Sequence, residues 1–174
     1  MSLNTALAIS LGVLGAVATW LFLGPLGGML AIWAAFIAWG CYYHCGGKET
    51  GLQSTILGTA VGAVIAGITL KVAGMGVGLP ETMWTAICVG LGVAAMVLLA
   101  NVPLFASIPA QVYGFASTVA YAMLKGGSVT AASMENPVAV IILSMIIGAV
   151  FGYVSEKGAG MLMGAGDHRA AAKV

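Results

Sequence analysis

Apolar residues along this chain fall into six runs, at 5–23, 28–43, 54–73, 82–100, 103–124 and 137–153, separated by Gly-Pro turns or short charged links. About 20 predominantly apolar residues in helical form cross the roughly 30 Å of hydrocarbon in a bilayer. None of the runs alternates apolar and polar positions as a barrel strand would, and a helix satisfies its own backbone groups in lipid. The pattern therefore predicts an all-α integral membrane protein with six transmembrane helices. They form a single transmembrane domain over 1–174, ending in a short polar C-terminal tail, 158–174.

Composition supports the bilayer as solvent. Of 174 residues, 61% are apolar and 6% charged, against about 25% charged in an ordinary soluble domain, and the mean hydropathy is +1.08. A net charge of +1 without a basic cluster excludes a phosphate-tracking surface, so no nucleic-acid partner is expected. The segment 1–5 lacks the positive region of a secretory signal, and the first run reads as retained. Even parity places both termini on one side, with Lys48, Lys157, Arg169 and Lys173 against Lys71 and Lys125 on the other, which gives N-in and C-in by the positive-inside rule.

The segment 10–47 can be laid on 90–127 without a gap. Leu11-Gly12-Val13 then falls on Leu91-Gly92-Val93, Trp33 on Tyr113, and Gly46-Gly47 on Gly126-Gly127. Three helices repeated once place the second copy upside down, so repeats at 5–80 and 82–157 would be inverted and would put a substrate path at their interface. Chance similarity among Gly-, Ala- and Val-rich helices is the alternative.

Ser107, Gln111, Gly114 and Thr118 share one face of the fifth helix. Such amides and hydroxyls either line a path for a partly dehydrated solute or bond to neighbouring helices. Pro109 removes the amide that would bond to the Phe105 carbonyl, which predicts a kink or break there. Gln111, Ser107, Thr118, Tyr113, Trp33 and Pro109 are thus the candidate pore- or substrate-lining residues, with Trp33 and Tyr113 pinching the path from opposite sides if the repeat holds; helix packing or lipid contact is the plainer role for those two. Trp20, Trp39, Trp84, Tyr42 and Tyr43 read as interfacial anchors. Gly58 and Gly62, and Gly148 and Gly152, are candidate helix-packing pairs. Asn136-Pro137 has the form of a helix N-cap followed by proline at the first helical position.

Cys41, His44 and Cys45 lie close together with Glu49 beyond them, yet no second Cys/His pair supports a closed metal site. No metal or cofactor is expected. Mid-membrane charges of the kind that ion-coupled pumps keep are missing from the pattern, as are nucleotide-binding loops and catalytic triads. The chain therefore does not read as an enzyme.

Three stretches, Trp33-Ala-Ala-Phe-Ile through Gly47, Ile108-Pro-Ala-Gln-Val-Tyr-Gly through Thr118, and Ile147-Gly-Ala-Val-Phe-Gly-Tyr, resemble the YcdZ-type family of small bacterial inner-membrane proteins, a domain of unknown function. The resemblance implies a multi-helix fold in the bacterial inner membrane and supplies no functional residues. The plan is more loosely similar to the urea/amide and acetate channels, though Asn136-Pro137-Val138 shares only the opening of the acetate-channel Asn-Pro-Ala signature. The reading that follows is a channel or facilitator for a small polar solute such as an amide or short organic acid, probed against two rivals: a secondary transporter, and a non-transport accessory or scaffold subunit. The lipid bilayer and further copies of the chain, as a homo-oligomer, are the expected partners.

Overall fold

In the computed structural model, the backbone of residues 1–171 and the side chains of residues 1–164 are described. Six α-helices follow in order: α1 (Leu3–Leu23), α2 (Ile32–His44), α3 (Lys48–Ala73), α4 (Glu81–Leu99), α5 (Ile108–Lys125) and α6 (Pro137–Ala171), with a short 3-10 turn at Pro103–Phe105 before α5. No strand occurs among the described residues.

Four of the helices, α1, α3, α4 and α6, are long and apolar enough to cross a membrane. The other two differ from the sequence expectation of six full spans. With 13 residues, α2 is only about 20 Å long, because Gly28 has φ 77° and Ala31 is extended, so the apolar stretch 28–31 is not helical. The run 103–124 is divided rather than continuous: Pro109 sits in the first turn of α5, and Ser107 caps that helix with its Oγ accepting from the Ala110 amide. In the other direction, α3 starts at Lys48, so most of the supposed charged link is helix. The Glu156 carboxylate accepts the Lys48 amide at 2.8 Å and caps that start, where Gly46, Gly47 and Lys48 all have positive φ. At the C-terminal end α6 continues through 158–171, where a polar tail was expected; Lys173 lies outside the described residues.

Helices α3 and α6 pack together at the centre; α5 and α4 lie on α3, and α2 and α1 lie on α6. Exchanging α1–α3 for α4–α6 leaves this scheme unchanged. Burial obeys the same exchange. Ala34, Ala35, Ala38, Trp39, Cys41 and Tyr42 are the buried positions of α2, and Ala110, Gln111, Gly114, Phe115, Ser117 and Thr118 repeat that spacing in α5. Thr55, Gly58, Thr59, Gly62 and Ala63 in α3 are matched by Ile141, Ser144, Met145, Gly148 and Ala149 in α6. The close contacts correspond too: a Cβ at Gly62 would lie 1.8 Å from the Gln111 carbonyl oxygen, and one at Gly148 would lie 1.9 Å from that of Ala35.

The halves run in opposite directions, since Gly47 at the start of α3 meets Glu156 and Gly67 near its end meets Val138 at the start of α6, and the C-terminus of α2 meets the start of α5. The two halves are therefore related as an inverted repeat. Its register differs from the gapless alignment of 10–47 on 90–127: Trp33 corresponds to Pro109, and Tyr113 to Ile37. The links 24–31 and 100–107 are equally long, so a single shift that pairs the end of α1 with that of α4 also pairs the starts of α2 and α5, and the matches of Leu11-Gly12-Val13 and Gly46-Gly47 belong to a different register.

Candidate functional site

The two helices that are not long and apolar enough to cross a membrane, α2 (13 residues) and α5 (18 residues), occupy matching places in the two halves and run antiparallel past one another. Each follows a proline-containing break, at Pro25 and at Pro103. In an inverted-repeat membrane protein, paired interrupted helices of this kind mark the place where a solute is held.

Along the middle of the α2/α5 seam the packing is apolar and close. Ala31, Ala34, Ala38, Ala63, Ile141 and Met145 are buried together, with Tyr113 and Tyr121 packed against them. The end that holds the α2 C-terminus is shut by two side-chain contacts across the seam, His44 Nδ1 to Tyr113 Oη at 3.1 Å and Cys45 Sγ to Ser107 Oγ at 3.3 Å. The opposite end opens into a hollow of about 400 Å³ lined by Gly28, Tyr121, Lys125, Gly126, Gly127, Met134 and Glu135. One cation and one anion thus stand at its mouth. Gly127 has φ 93°, and a Cβ there would lie 2.1 Å from the Glu135 carbonyl oxygen, so this position fixes the approach of the α5–α6 link to the hollow.

The polar face of α5 lies between α5 and α3 rather than along an open path. Gln111 is fully buried and donates from Nε2 to the Phe105 carbonyl at 2.7 Å. Thr118 donates to the carbonyl of Gly114 at 2.9 Å, and Gly114 rests on the Thr59 carbonyl. Ser107 caps the helix. Trp33 and Pro109 are on the outer surface. Trp33 stands near the α2 N-terminus while Tyr113 meets the α2 C-terminus, so the structure does not bring those two aromatics together.

Two buried side-chain atoms are without a hydrogen-bond partner, Gln111 Oε1 and Thr55 Oγ1. Both belong to the shut end: Thr55 neighbours Cys41 and Cys45, and Gln111 stands one turn beyond Ser107. Buried polar atoms left unpaired are uncommon. Hydropathy gave no sign of Thr55, Tyr121 or Lys125; only the fold brings them to the seam.

Cys41 and Cys45 stand 3.9 Å apart, sulfur to sulfur. His44 turns to Tyr113, and Glu49 turns to Lys157 and Tyr153. The residues considered as metal ligands are therefore drawn to separate partners, and no group of three or more His, Cys, Asp or Glu gathers among the described residues.

Aromatic residues divide by burial. Trp20 is on the surface, where anchors belong, and the half-buried Trp84 donates to the Val72 carbonyl at 3.1 Å. Trp39 and Tyr42 are buried against α6, with Trp39 Nε1 bonded to Ser155 Oγ at 2.9 Å and the Tyr42 hydroxyl to Glu156. Tyr43 also reaches Ser155, at 2.7 Å. These three tie α2 to α6, and the expectation of interfacial anchors does not hold for Trp39 and Tyr42.

Fold and seam together define a multi-helix membrane protein built from two inverted halves. Residues 8–160 match the family model described as "Protein of unknown function (DUF1097)". The chain belongs to that family. No curated protein and no solved structure matches the chain.

Proposed function

We propose that this protein is a facilitator that passes a small polar solute, an amide or short organic acid, along the α2/α5 seam of a bacterial inner membrane, with both termini on the cytoplasmic side. It performs no chemical step, and copies of the chain associate as a homo-oligomer. The observation that carries the reading is the pair of apolar segments broken by proline-containing links before α2 and α5, at matching places in two inverted halves. The unpaired Gln111 Oε1 and Thr55 Oγ1 add an acceptor and a hydroxyl, the complement of an amide or a protonated acid. Tyr113 stands beside the path, joined by Tyr121 and Lys125 at the open end, while Gln111 lies behind it against α3 and Trp33 and Pro109 stand outside it.

The test is flux through the purified protein in liposomes, measured with urea, acetamide, glycerol, acetate and lactate. Flux of at least one class above that of empty vesicles is expected, unaffected by dissipating proton and sodium gradients. Dependence on such a gradient would replace the reading with a coupled transporter. Absence of flux across the panel would end it, and stable co-purification with another membrane complex would then favour an accessory subunit.

A further inference from the structure

We propose that the seam works by alternating access, the two ends opening in turn, and that His44–Tyr113 and Cys45–Ser107 form the gate at the end nearer the termini. This rests on the seam being the solute path. Three observations carry it.

First, the two ends differ in this structure. One is bridged by both side-chain contacts between α2 and the start of α5. At the other, no side-chain hydrogen bond joins α2 to α5 among the described residues, and the hollow beside Tyr121 and Lys125 stands open. A solute entering there meets the close apolar packing of Ala34, Ala38 and Met145 with the bridged end beyond it, not a continuous pore.

Second, the halves are interchangeable in packing. The same positions of α2 and α5, and of α3 and α6, are buried at the same spacing, with Gly62 and Gly148 at the same close approach. Each half can therefore take the arrangement of the other while keeping its interfaces, and the exchanged molecule is open at the gated end and shut at the hollow.

Third, the gate residues are not themselves repeated. By burial register His44 and Cys45 correspond to Ala120 and Tyr121, and Ser107 and Tyr113 correspond to Ala31 and Ile37. Polar bridging is thus available at one end alone. It biases the molecule toward the state seen here, and a weaker bridge shifts the balance toward the exchanged state.

The experiment weakens or locks the gate and watches both ends at once. Tyr113→Phe removes only the hydroxyl that meets His44. With Cys41 and Cys88 replaced by Ala, labelling of Cys45 by a membrane-impermeant maleimide reports the gated end. Spin labels at Met29→Cys and Leu124→Cys, with Cys41 and Cys88 replaced by Ala and Cys45 by Ser, which keeps a polar partner for Ser107, report the distance across the hollow.

Tyr113→Phe is expected to raise Cys45 labelling about fivefold, the shift that one hydrogen bond of ordinary strength produces, and to add a shorter distance across the hollow. Faster labelling with an unchanged distance, or no change in either, would overturn the proposal. Should Tyr113→Phe fail to fold, Ser107→Cys oxidised onto a retained Cys45 serves instead, with only Cys41 and Cys88 replaced by Ala and the spin labels attached at Met29→Cys and Leu124→Cys after the disulfide has formed. The lock is expected to leave a single long distance across the hollow, and a distribution identical to the unlocked protein's two-state one would refute alternation. Neither readout uses flux, so reciprocal ends without solute movement would defeat the solute reading alone, and flux without reciprocity would defeat alternation alone.

Discussion

Gln111 shows how a residue's role depends on what its neighbour lacks. Pro109 has no amide to offer the Phe105 carbonyl, and that deficit is legible in the sequence. The remedy is not, because the Gln111 side chain reaches the carbonyl only once the chain has broken at Ala106 and restarted at Ile108. Gln111→Leu would leave a buried carbonyl unpaired, and we expect it to cost about 1–3 kcal/mol, measured by reversible unfolding in mixed micelles. Thr118→Val, which removes a hydroxyl bonded within its own helix, is expected to cost less than about 1.5 kcal/mol. Equal losses in the two variants would contradict the capping role. The aromatic residues teach the same lesson: Trp20 and Trp39 look alike in a hydropathy profile, and only the presence of Ser155 on α6 separates an exposed ring from a buried one.

At the scale of elements, glycine decides which helices touch. Gly62 and Gly148 each lie against a backbone carbonyl of the neighbouring short helix, closer than any side chain allows. Gly62→Ala and Gly148→Ala must push α5 from α3 and α2 from α6 respectively, at a cost of about 1–3 kcal/mol or more. Gly12→Ala and Gly90→Ala, inside helices where nothing lies within 4 Å, should leave stability unchanged or raise it by up to about 1 kcal/mol. Unfolding measurements on the four variants check this contrast. The paired-glycine spacing at 58/62 and 148/152 was readable, and the fold places both pairs inside one protomer. Helix ends were less readable. Apolar composition extends through 28–31 although the positive φ of Gly28 stops the helix from starting there, and it ends before 158–171 although α6 continues.

For the whole molecule, the inverted repeat governs both topology and the proposed mode of action. Alternation of helix direction puts Ser10, at the start of α1, beside Ser155 near the end of α6, with Ser10 Oγ donating to the Ser155 carbonyl at 2.8 Å. Reporter fusions at residue 1 and after residue 164 should therefore give the same side, and under the charge asymmetry that side is cytoplasmic; opposite sides would break the even-crossing topology. Composition and run length by themselves determined that this chain is a helical membrane protein, because transfer of apolar residues into hydrocarbon depends on what each residue is and hardly on its neighbours in space. They also showed the parity that makes any repeat inverted. Only the tertiary structure decided the register of that repeat, the pairing of α2 with α5 across the centre, and the difference between a gated end and an open one. Those features depend on which side chains meet across a gap of a few ångströms, and in helices so rich in Gly, Ala and Val many registers satisfy the same hydropathy pattern while one satisfies the contacts.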